Sequence, residues 1–287
     1  MPEQTTYYKH LASSGLTGLV ILGTNAETFL LTREERLTLL KTARAAVGPD
    51  YPIIAGVGGH STKQCLEFIN DAYSAGANYI LVLPSAYFGK QTTPAVISRF
   101  YNSIAMKSPL PIVLYNFPAV CNGIDLDSET ITALAQAHSN IVGVKLTCGS
   151  VGKITRLAGT FTPDEFAVFG GQSDFLIGGL ASGSAGCIAA FCNIFPKTIV
   201  KIYDLWKMGK HDQALALHRL AAQAEAPTKA GIASTKYAAS IFSAKRAGIV
   251  NAEVLLRPRA PYEEVSESVK AKIREVMGPL SEVEDTL

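Results

Sequence analysis

A lysine and a tyrosine, each at the end of an apolar run, are the residues of this sequence best placed to do chemistry. The runs read PIVLY, ending at Tyr115, and IVGVK, ending at Lys145. Both have the length and β-branched content of buried strands, and residues 128–137 between them have helical character. The 30 positions from Tyr115 to Lys145 match one strand–helix–strand unit, whose right-handed crossover makes the two strands parallel. The spacing therefore predicts that both side chains lie at the rim where α/β folds keep their active sites.

Lys145 allows two interpretations. A lysine that closes a buried strand can leave the sheet and extend its ammonium group to water. Alternatively, burial keeps part of its amine neutral, and a neutral amine attacks a ketone to form a Schiff base. Tyr115 at the same rim supplies a hydroxyl that can accept and return protons. The pairing of the two residues favours the Schiff-base interpretation.

The composition describes a chain that buries one large core. Of its 287 residues, 48% are apolar and 17% charged, which suits a parallel sheet covered by helices on both faces. The net charge of +2 gives no electrostatic reason to expect a nucleic acid or an anionic membrane as a partner. No apolar run approaches the roughly 20 residues that span a bilayer.

Cysteine and histidine usage bear on compartment and metals. The five cysteines are odd in number and include no CxxC pair, so we expect reduced thiols in a cytoplasmic protein. The first residues resemble neither a secretory signal nor an Arg-rich presequence. The five histidines are scattered, and none pairs with another at a metal-ligand spacing, so no metal site is expected.

Strand and helix signals alternate along the first two thirds of the chain, which predicts a (β/α)8 TIM barrel. We count seven strands, near residues 17, 53, 79, 112, 142, 167 and 186. The eighth should precede a helix at Thr6, so either the barrel is open there or the sequence lacks its true amino terminus. Beyond Pro196 only helices are predicted, at 198–208, 212–224, 229–247 and 263–277. We assign residues 1–225 to the catalytic barrel and 226–287 to a C-terminal helical extension packed on it.

Glycines cluster at residues 170–186, after the last two predicted strands. In a barrel this region is a common phosphate cradle, and the alternative is tight turns beside a bound substrate. No GxGxxG or Walker spacing is present, and no lysine or arginine lies between Arg156 and Lys197. We therefore expect an unphosphorylated substrate.

With these motifs placed, the chain resembles the dihydrodipicolinate synthase / N-acetylneuraminate lyase family of class I aldolases. The resemblance extends from Gly15 to about Arg259. The matching segments occur in the family's order: GTNAE at 23–27, YNFP at 115–118, GVK at 143–145 and GSAGCI at 183–188. The family has a strand before its first helix, in agreement with the strand missing from our count.

The resemblance implies that Lys145 forms an imine with pyruvate or another 2-oxo acid, with no further cofactor. Tyr115, hydrogen-bonded to Thr24, would relay protons, and a tyrosine from a neighbouring subunit would complete the relay. Tyr87 is the candidate for that last role, in a homo-oligomer expected to be a dimer of dimers. A protonated imine accepts the electrons of the C3–C4 bond, so cleavage leaves an enamine rather than a bare carbanion.

Substrate contacts are expected at the ends of several strands. The turn at Thr24 and Asn25 could hold the carboxylate of a 2-oxo acid as an anion nest, or it could be an ordinary turn. Further candidates for substrate contacts are Thr147, Gly171, Ser173 and Ile188.

Two positions depart from the family pattern. Ala26 stands where the family usually has glycine, which predicts a turn that is not strongly left-handed. After YNFP the synthases carry an arginine for the second substrate's carboxylate, whereas this chain reads AVCNG at 119–123. Asn25, the stretch GVKLTC at 143–148 and GQSD at 171–174 are more similar to fungal 2-keto-3-deoxy-sugar-acid aldolases and 4-hydroxy-2-oxoglutarate aldolases.

The predicted function is therefore a class I aldolase that cleaves a 4-hydroxy-2-oxo acid to pyruvate and an aldehyde. The expected substrate is a 2-keto-3-deoxy-hexonate such as 3-deoxy-hexulosonate. The alternatives are a 4-hydroxy-2-oxoglutarate aldolase and a dihydrodipicolinate synthase, which condenses pyruvate with aspartate semialdehyde. A catalytically silent barrel that acts by binding is the alternative from a different class.

Overall fold

Seven parallel strands form a single sheet in the order in which they occur along the chain. The structure, a computed structural model, describes residues 1–287. The strands are β1 (Leu19–Ile21), β2 (Ile53–Gly56), β3 (Tyr79–Val82), β4 (Ile112–Asn116), β5 (Ile141–Leu146), β6 (Ala167–Gly170) and β7 (Gly186–Cys187). No pairing joins β1 to β7, so the barrel is open between them. The predicted count of seven strands is confirmed, and the sheet has its gap on the side where the eighth strand was expected.

Twelve α-helices accompany the sheet. Those of the barrel are α1 (Pro2–Ala12), α2 (Arg33–Val47), α3 (Thr62–Ser74), α4 (Pro94–Ala105), α5 (Ser128–Ala137), α6 (Val151–Thr160), α7 (Leu176–Ala181) and α8 (Pro196–Lys207). The remaining four are α9 (His211–Glu225), α10 (Ile232–Ala239), α11 (Ala252–Leu255) and α12 (Glu267–Thr286). None of them combines the length and hydrophobicity needed to cross a membrane.

Local sequence determines where several of these helices begin. Thr32 accepts a hydrogen bond from the backbone of Glu35, and the Glu35 side chain accepts one from Thr32 in return, which completes a capping box at α2. Asp127 caps α5 by accepting from Thr130. The helix predicted over 229–247 begins only at Ile232, because Gly231, with φ 130°, adopts a backbone conformation that other residues rarely reach.

Two large apolar cores support the fold. One, of 39 buried residues, joins the strands to the helices that surround them. The other, of 17, packs α7 to α10 against α12. The second core continues across residue 225, where we predicted the boundary between barrel and extension, and that division remains a prediction.

Candidate active site

Lys145 and Tyr115 meet at the carboxyl ends of neighbouring strands, as the spacing predicted. They are direct partners in the register between β4 and β5. The Nζ atom of Lys145 lies 3.2 Å from the phenolic Oη of Tyr115 and 4.3 Å from the centre of its ring. The two residues are only 7% and 3% exposed. Lys145 therefore does not extend to water; its amine is held against a tyrosine hydroxyl.

Thr24 completes this centre from the turn after β1. Its Oγ1 lies 3.3 Å from the Oη of Tyr115. The chain reaches this position through Leu22, which has a φ of 68°, an unusual conformation for a bulky residue. Gly56 makes the approach possible, because a Cβ there would lie 1.9 Å from the Leu22 carbonyl oxygen. The three residues that the resemblance grouped, Thr24, Tyr115 and Lys145, are thus brought together.

Glu27, the last residue of the GTNAE segment, anchors this turn to the C-terminal helices. Its Oε2 is 2.5 Å from the Nζ of Lys236 on α10, and its Oε1 accepts a 2.8 Å hydrogen bond from the backbone of Arg259. Glu27 is itself left-handed, with φ 57°, whereas Ala26 is not. The prediction that the turn avoids the left-handed region is therefore confirmed at Ala26 but does not extend to the next residue, Glu27.

Thr147 and Gly171, both predicted substrate contacts, directly follow β5 and β6. The backbone N–H of Gly171 donates to the Leu146 carbonyl at 2.9 Å. A Cβ on Gly171 would lie 1.9 Å from the Oγ1 of Thr147, so only glycine fits. The Thr147 hydroxyl is buried and has no hydrogen-bond partner within the chain.

Ser173 is held from behind by α9. Its hydroxyl donates to the Oε2 of Glu225 at 2.5 Å, and its carbonyl oxygen is 2.8 Å from the Nε2 of His218. Lys229 lies beside this pair, 3.2 Å from Glu225 and 2.9 Å from Asp174. The prediction of Ser173 as a substrate contact stays untested, with its hydroxyl already bonded to a carboxylate.

Sequence reasoning missed His218 and Glu225, although a signal was present. Both lie on the buried face of α9, at helical spacing with Ala214 and Ala221. A polar residue within an otherwise apolar stripe of a helix needs a buried hydrogen-bond partner, so its position in the sequence predicts such a contact.

Ile188 and Cys187 lie at the open edge of the sheet. Ile188 continues the pairing of β7 with β6, since its N–H donates to the Gly170 carbonyl at 2.8 Å. The pKa of the Cys187 thiol is raised well above its usual value by a hydrogen bond with Cys192 and by burial, while the charge of Lys145 opposes the shift. Cys187 thus lies within electrostatic range of the lysine.

Tyr87 does not join this centre within its own chain. Its side chain is 70% exposed, packs edge-on against Phe88 and lies 5.8 Å, centre to centre, from the ring of His60. Phe29 stacks on His60 at 5.4 Å. We call Phe29, His60, Tyr87 and Phe88 the rim aromatic cluster. Asn25 is also exposed, and its side chain makes no hydrogen bond within the chain.

The loop after Tyr115 offers no cation to a ligand. Lys153 packs beneath it, but its ammonium is 2.5 Å from Asp125 and 2.7 Å from the Leu126 carbonyl oxygen. Asn116 also donates to Asp125, at 2.6 Å. The absence of an arginine from residues 119–123 is therefore not compensated by this lysine. No group of three or more His, Cys, Asp or Glu residues is arranged to hold a metal ion.

A parallel α/β barrel with a buried lysine and tyrosine and a half-buried threonine at its rim belongs to the class of barrels suited to amine–carbonyl chemistry. Residues 4–277 match the Dihydrodipicolinate synthetase family, and the chain belongs to that family. The sequence-based predictions of the family, the barrel fold and a lyase are confirmed. Enzymes of this family hold pyruvate as a Schiff base on a lysine and need no separate cofactor.

Individual relatives cover nearly the whole chain. One from Coccidioides immitis (strain RS), named as a candidate mitochondrial 4-hydroxy-2-oxoglutarate aldolase, is 67% identical over 99% of this chain and 90% of its own. The L-threo-3-deoxy-hexylosonate aldolase of Hypocrea jecorina is 36% identical over 100% of this chain and 92% of its own.

Solved structures show the same fold. A crystal structure of a candidate dihydrodipicolinate synthase family protein from Coccidioides immitis has a TM-score of 0.94 and 64% identity, covering 100% of this chain and 91% of that one. An Escherichia coli K12 prophage protein of the dihydrodipicolinic acid synthase family, in complex with pyruvate, has a TM-score of 0.86 and 27% identity. That alignment covers 97% of this chain and 92% of the other.

Proposed function

We propose that this protein is a class I aldolase that cleaves a 4-hydroxy-2-oxo acid to pyruvate and an aldehyde. The observation that carries the proposal is the chain of contacts from Lys145 Nζ to Tyr115 Oη, 3.2 Å, and on to Thr24 Oγ1, 3.3 Å. An amine, a proton carrier and a second hydroxyl in line are what imine chemistry needs. The names of the Coccidioides and Hypocrea relatives support the same reaction type.

The reaction begins with attack of the Lys145 amine on the 2-oxo carbon, which releases water and leaves a protonated imine. Tyr115 takes the proton of the 4-hydroxyl, the C3–C4 bond breaks, and its electrons move to the imine nitrogen. The aldehyde leaves, the enamine is protonated at C3, and water hydrolyses the imine to give pyruvate. Thr24 holds Tyr115 in place, and the first N–H groups of the turn Thr24–Ala26, which lack partners inside the turn, bind the carboxylate.

We propose that the part of the substrate beyond C3 is a neutral, polyhydroxylated tail, as in 3-deoxy-hexulosonates. The loop at Ala119, Val120 and Cys121 would leave a distal carboxylate without a partner, at a cost of several kcal/mol. Thr147 offers a buried, unpaired hydroxyl to such a tail. The second candidate substrate is 4-hydroxy-2-oxoglutarate, which the name of the relative with 67% identity favours.

Trapping with borohydride tests the imine. Reduction in the presence of pyruvate should add one pyruvate-derived group to Lys145, located by peptide mass spectrometry. The Lys145→Ala variant should take up none, whereas Lys153→Met, which removes the other buried lysine of this region, should still be labelled. An adduct on another lysine, or one that persists without Lys145, would overturn the assignment.

A substrate panel tests the tail. Cleavage of 3-deoxy-hexulosonates should exceed condensation of pyruvate with aspartate semialdehyde by at least roughly 100-fold in kcat/KM, or about 2.7 kcal/mol. Pyruvate release is followed through lactate dehydrogenase, with 4-hydroxy-2-oxoglutarate in the same panel. A better rate with the semialdehyde would replace this proposal with the synthase.

The proposal includes a homotetrameric assembly, a dimer of dimers, in which Tyr87 reaches a neighbouring site. The exposure of the rim aromatic cluster supports it, because the Tyr87 side chain is 70% exposed in the single chain. Sedimentation at micromolar concentration should give four times the chain mass, and a monomer would contradict it.

The proposal also places the protein in the cytoplasm. The five free cysteines support a reducing compartment. Two relatives carry the word mitochondrial in their names, so fractionation is the decisive measurement. Recovery of the native protein with mitochondria would overturn this part of the proposal.

A further inference from the structure

Two buried polar residues on one face of α9 point at the same serine. His218 is 8% exposed and Glu225 3% exposed, and they lie seven residues, about two helical turns, apart. Burying a carboxylate is costly unless it is hydrogen-bonded. The hydrogen bonds of Glu225 therefore show which part of the structure this buried carboxylate stabilises.

Ser173 is held at all three of its polar groups by these two residues. Its hydroxyl donates to Glu225 Oε2 at 2.5 Å, its backbone N–H donates to Oε1 at 3.4 Å, and its carbonyl oxygen lies 2.8 Å from His218 Nε2. Ser173 itself is 1% exposed. The turn at Ser173 is thus held by α9, a helix that lies outside the repeating strand–helix units of the barrel.

The turn that Glu225 holds is directly connected to the reactive lysine. Gly171, two residues before Ser173, donates to the carbonyl of Leu146, the residue after Lys145. Gly171 also lies so close to Thr147 that no side chain fits between them. A displacement of Ser173 would therefore move the side of the pocket at Thr147, while the register of β4 with β5 would keep Lys145 against Tyr115.

Lys229 closes the same network towards the rim. Its ammonium lies 3.2 Å from Glu225 Oε1, 2.9 Å from Asp174 Oδ2 and 2.7 Å from Gln172 Oε1. The charges of Lys229, Asp174 and Glu225 are thus paired around the turn. The network connects α9 to three consecutive residues of the turn, Gln172, Ser173 and Asp174.

A second buried carboxylate provides an internal comparison. Glu284, 2% exposed, accepts from the backbone of Lys197 and Thr198 at the start of α8 and from the Thr198 hydroxyl. It therefore caps a helix and has no contact with the turn after β6. Glu284 and Glu225 are both buried carboxylates, but Glu284 contacts the start of α8 whereas Glu225 contacts the turn at Ser173.

We propose that Glu225 is a positioning residue for the aldol substrate. It acts through Ser173 and keeps the Gly171–Ser173 turn and Thr147 in place around the part of the substrate beyond C3. The inference rests on the proposed aldolase function. It concerns the substrate tail, whereas imine formation depends on β4 and β5.

The experiment compares Glu225→Gln with Glu284→Gln on 3-deoxy-hexulosonate and 4-hydroxy-2-oxoglutarate. Glu225→Gln should raise KM for the cleaved substrate at least tenfold, while the pyruvate concentration that half-saturates borohydride trapping at Lys145 shifts by less than threefold. Glu284→Gln should leave both values unchanged, whatever it does to the melting temperature. A wild-type KM in Glu225→Gln overturns the inference.

A double-mutant cycle shows whether Glu225 acts through the serine. If it does, Glu225→Gln and Ser173→Ala together should raise KM no more than the more severe single change, since a change at Glu225 has nothing to act through once the Ser173 hydroxyl is gone. Additive effects overturn the inference. If Glu225→Gln does not fold, Ser173→Ala and His218→Phe carry the test, and unchanged KM in both is the overturning result. Failure of wild-type protein to trap pyruvate on Lys145 would instead reject the proposed function.

Discussion

Lys145 and Tyr115 are register partners on adjacent parallel strands, and their side chains meet with Nζ 3.2 Å from Oη. Strand register is determined by backbone hydrogen bonds, so this distance does not depend on a flexible loop. Thr24 approaches the same hydroxyl from the turn after β1, at 3.3 Å. Lys145 and Tyr115 are thus positioned by the sheet itself, and the groups expected to select the substrate lie on the turns that follow the strands.

Replacing Tyr115 by phenylalanine should lower kcat by roughly 100-fold or more, the usual contribution of a positioned proton carrier. The ring would remain against Lys145, so the fold should persist. Pyruvate release measured with lactate dehydrogenase gives the rate. Tyr51→Phe is the matched control, because the Tyr51 hydroxyl donates to the Leu16 carbonyl at 2.6 Å, outside the site. An unchanged kcat in Tyr115→Phe would show that another group moves the proton.

Mixed oligomers should reveal whether Tyr87 serves a neighbouring site. Its side chain is 70% exposed and is not in contact with its own chain's Tyr115. Co-expression of Tyr87→Phe with Lys145→Ala should restore activity that neither variant has alone, since some sites then receive both intact residues. Lys145→Ala with Tyr115→Phe is the control and should restore none, because both residues come from the same chain. If co-expression of Tyr87→Phe with Lys145→Ala restored no activity, Tyr87 would have no part in a neighbouring site.

Breaking the Glu27–Lys236 pair from one side should be strongly destabilising. Both side chains are largely buried, at 5% and 16% exposure. Lys236→Met should cost about 3–5 kcal/mol, because Glu27 is left buried without its partner. The double change Glu27→Gln with Lys236→Met should cost less than Lys236→Met alone.

The exposed pair Lys272–Glu275, at 62% and 71%, supplies the control for that measurement. Lys272→Met should change the free energy of unfolding by no more than about 1 kcal/mol. Urea unfolding followed by circular dichroism measures all of these variants. If Lys236→Met and Lys272→Met lowered the free energy of unfolding equally, burial would not be what makes the Glu27–Lys236 pair important.

Glu225 should make stability depend on pH. Burial raises the pKa of Glu225 above its ordinary value of 4.5, while the Ser173 hydroxyl and Lys229 oppose the shift and Asp174 adds to it. The folded state therefore keeps this proton at a pH where the unfolded chain has lost it. The favourable contribution of the protonated group is complete below about 4.5 and declines as the pH rises through the raised pKa.

The melting temperature of Glu225→Gln, relative to wild type, should consequently increase as the pH rises from 4.5 towards neutrality. Glutamine stays neutral throughout, so only the wild type loses stability by this route. Differential scanning calorimetry at matched ionic strength makes the comparison. A difference between the two proteins that is constant with pH would show that Glu225 ionises as freely in the fold as outside it.

The sequence by itself determined the reactive pair and the strands that carry it. The runs ending at Tyr115 and Lys145 have the length, β-branching and separation of one strand–helix–strand unit, and the handedness of that unit is nearly invariant. The same local signals supplied seven strands and an opening before the first helix. Thr24 was assigned from the family resemblance and not from its own sequence pattern, because the sequence of a short turn does not determine which side chain a given residue will contact.

Tertiary structure alone decided how the turns around the pair are held. Ser173 and Glu225 are 52 residues apart, and Glu27 and Lys236 are 209 residues apart. Periodicity and capping describe neighbours within one element, whereas these contacts depend on how separate helices pack onto the carboxyl ends of the strands. The left-handed conformation of Glu27 has the same origin, since its ion pair and its hydrogen bond to Arg259 hold a geometry that its own sequence does not favour.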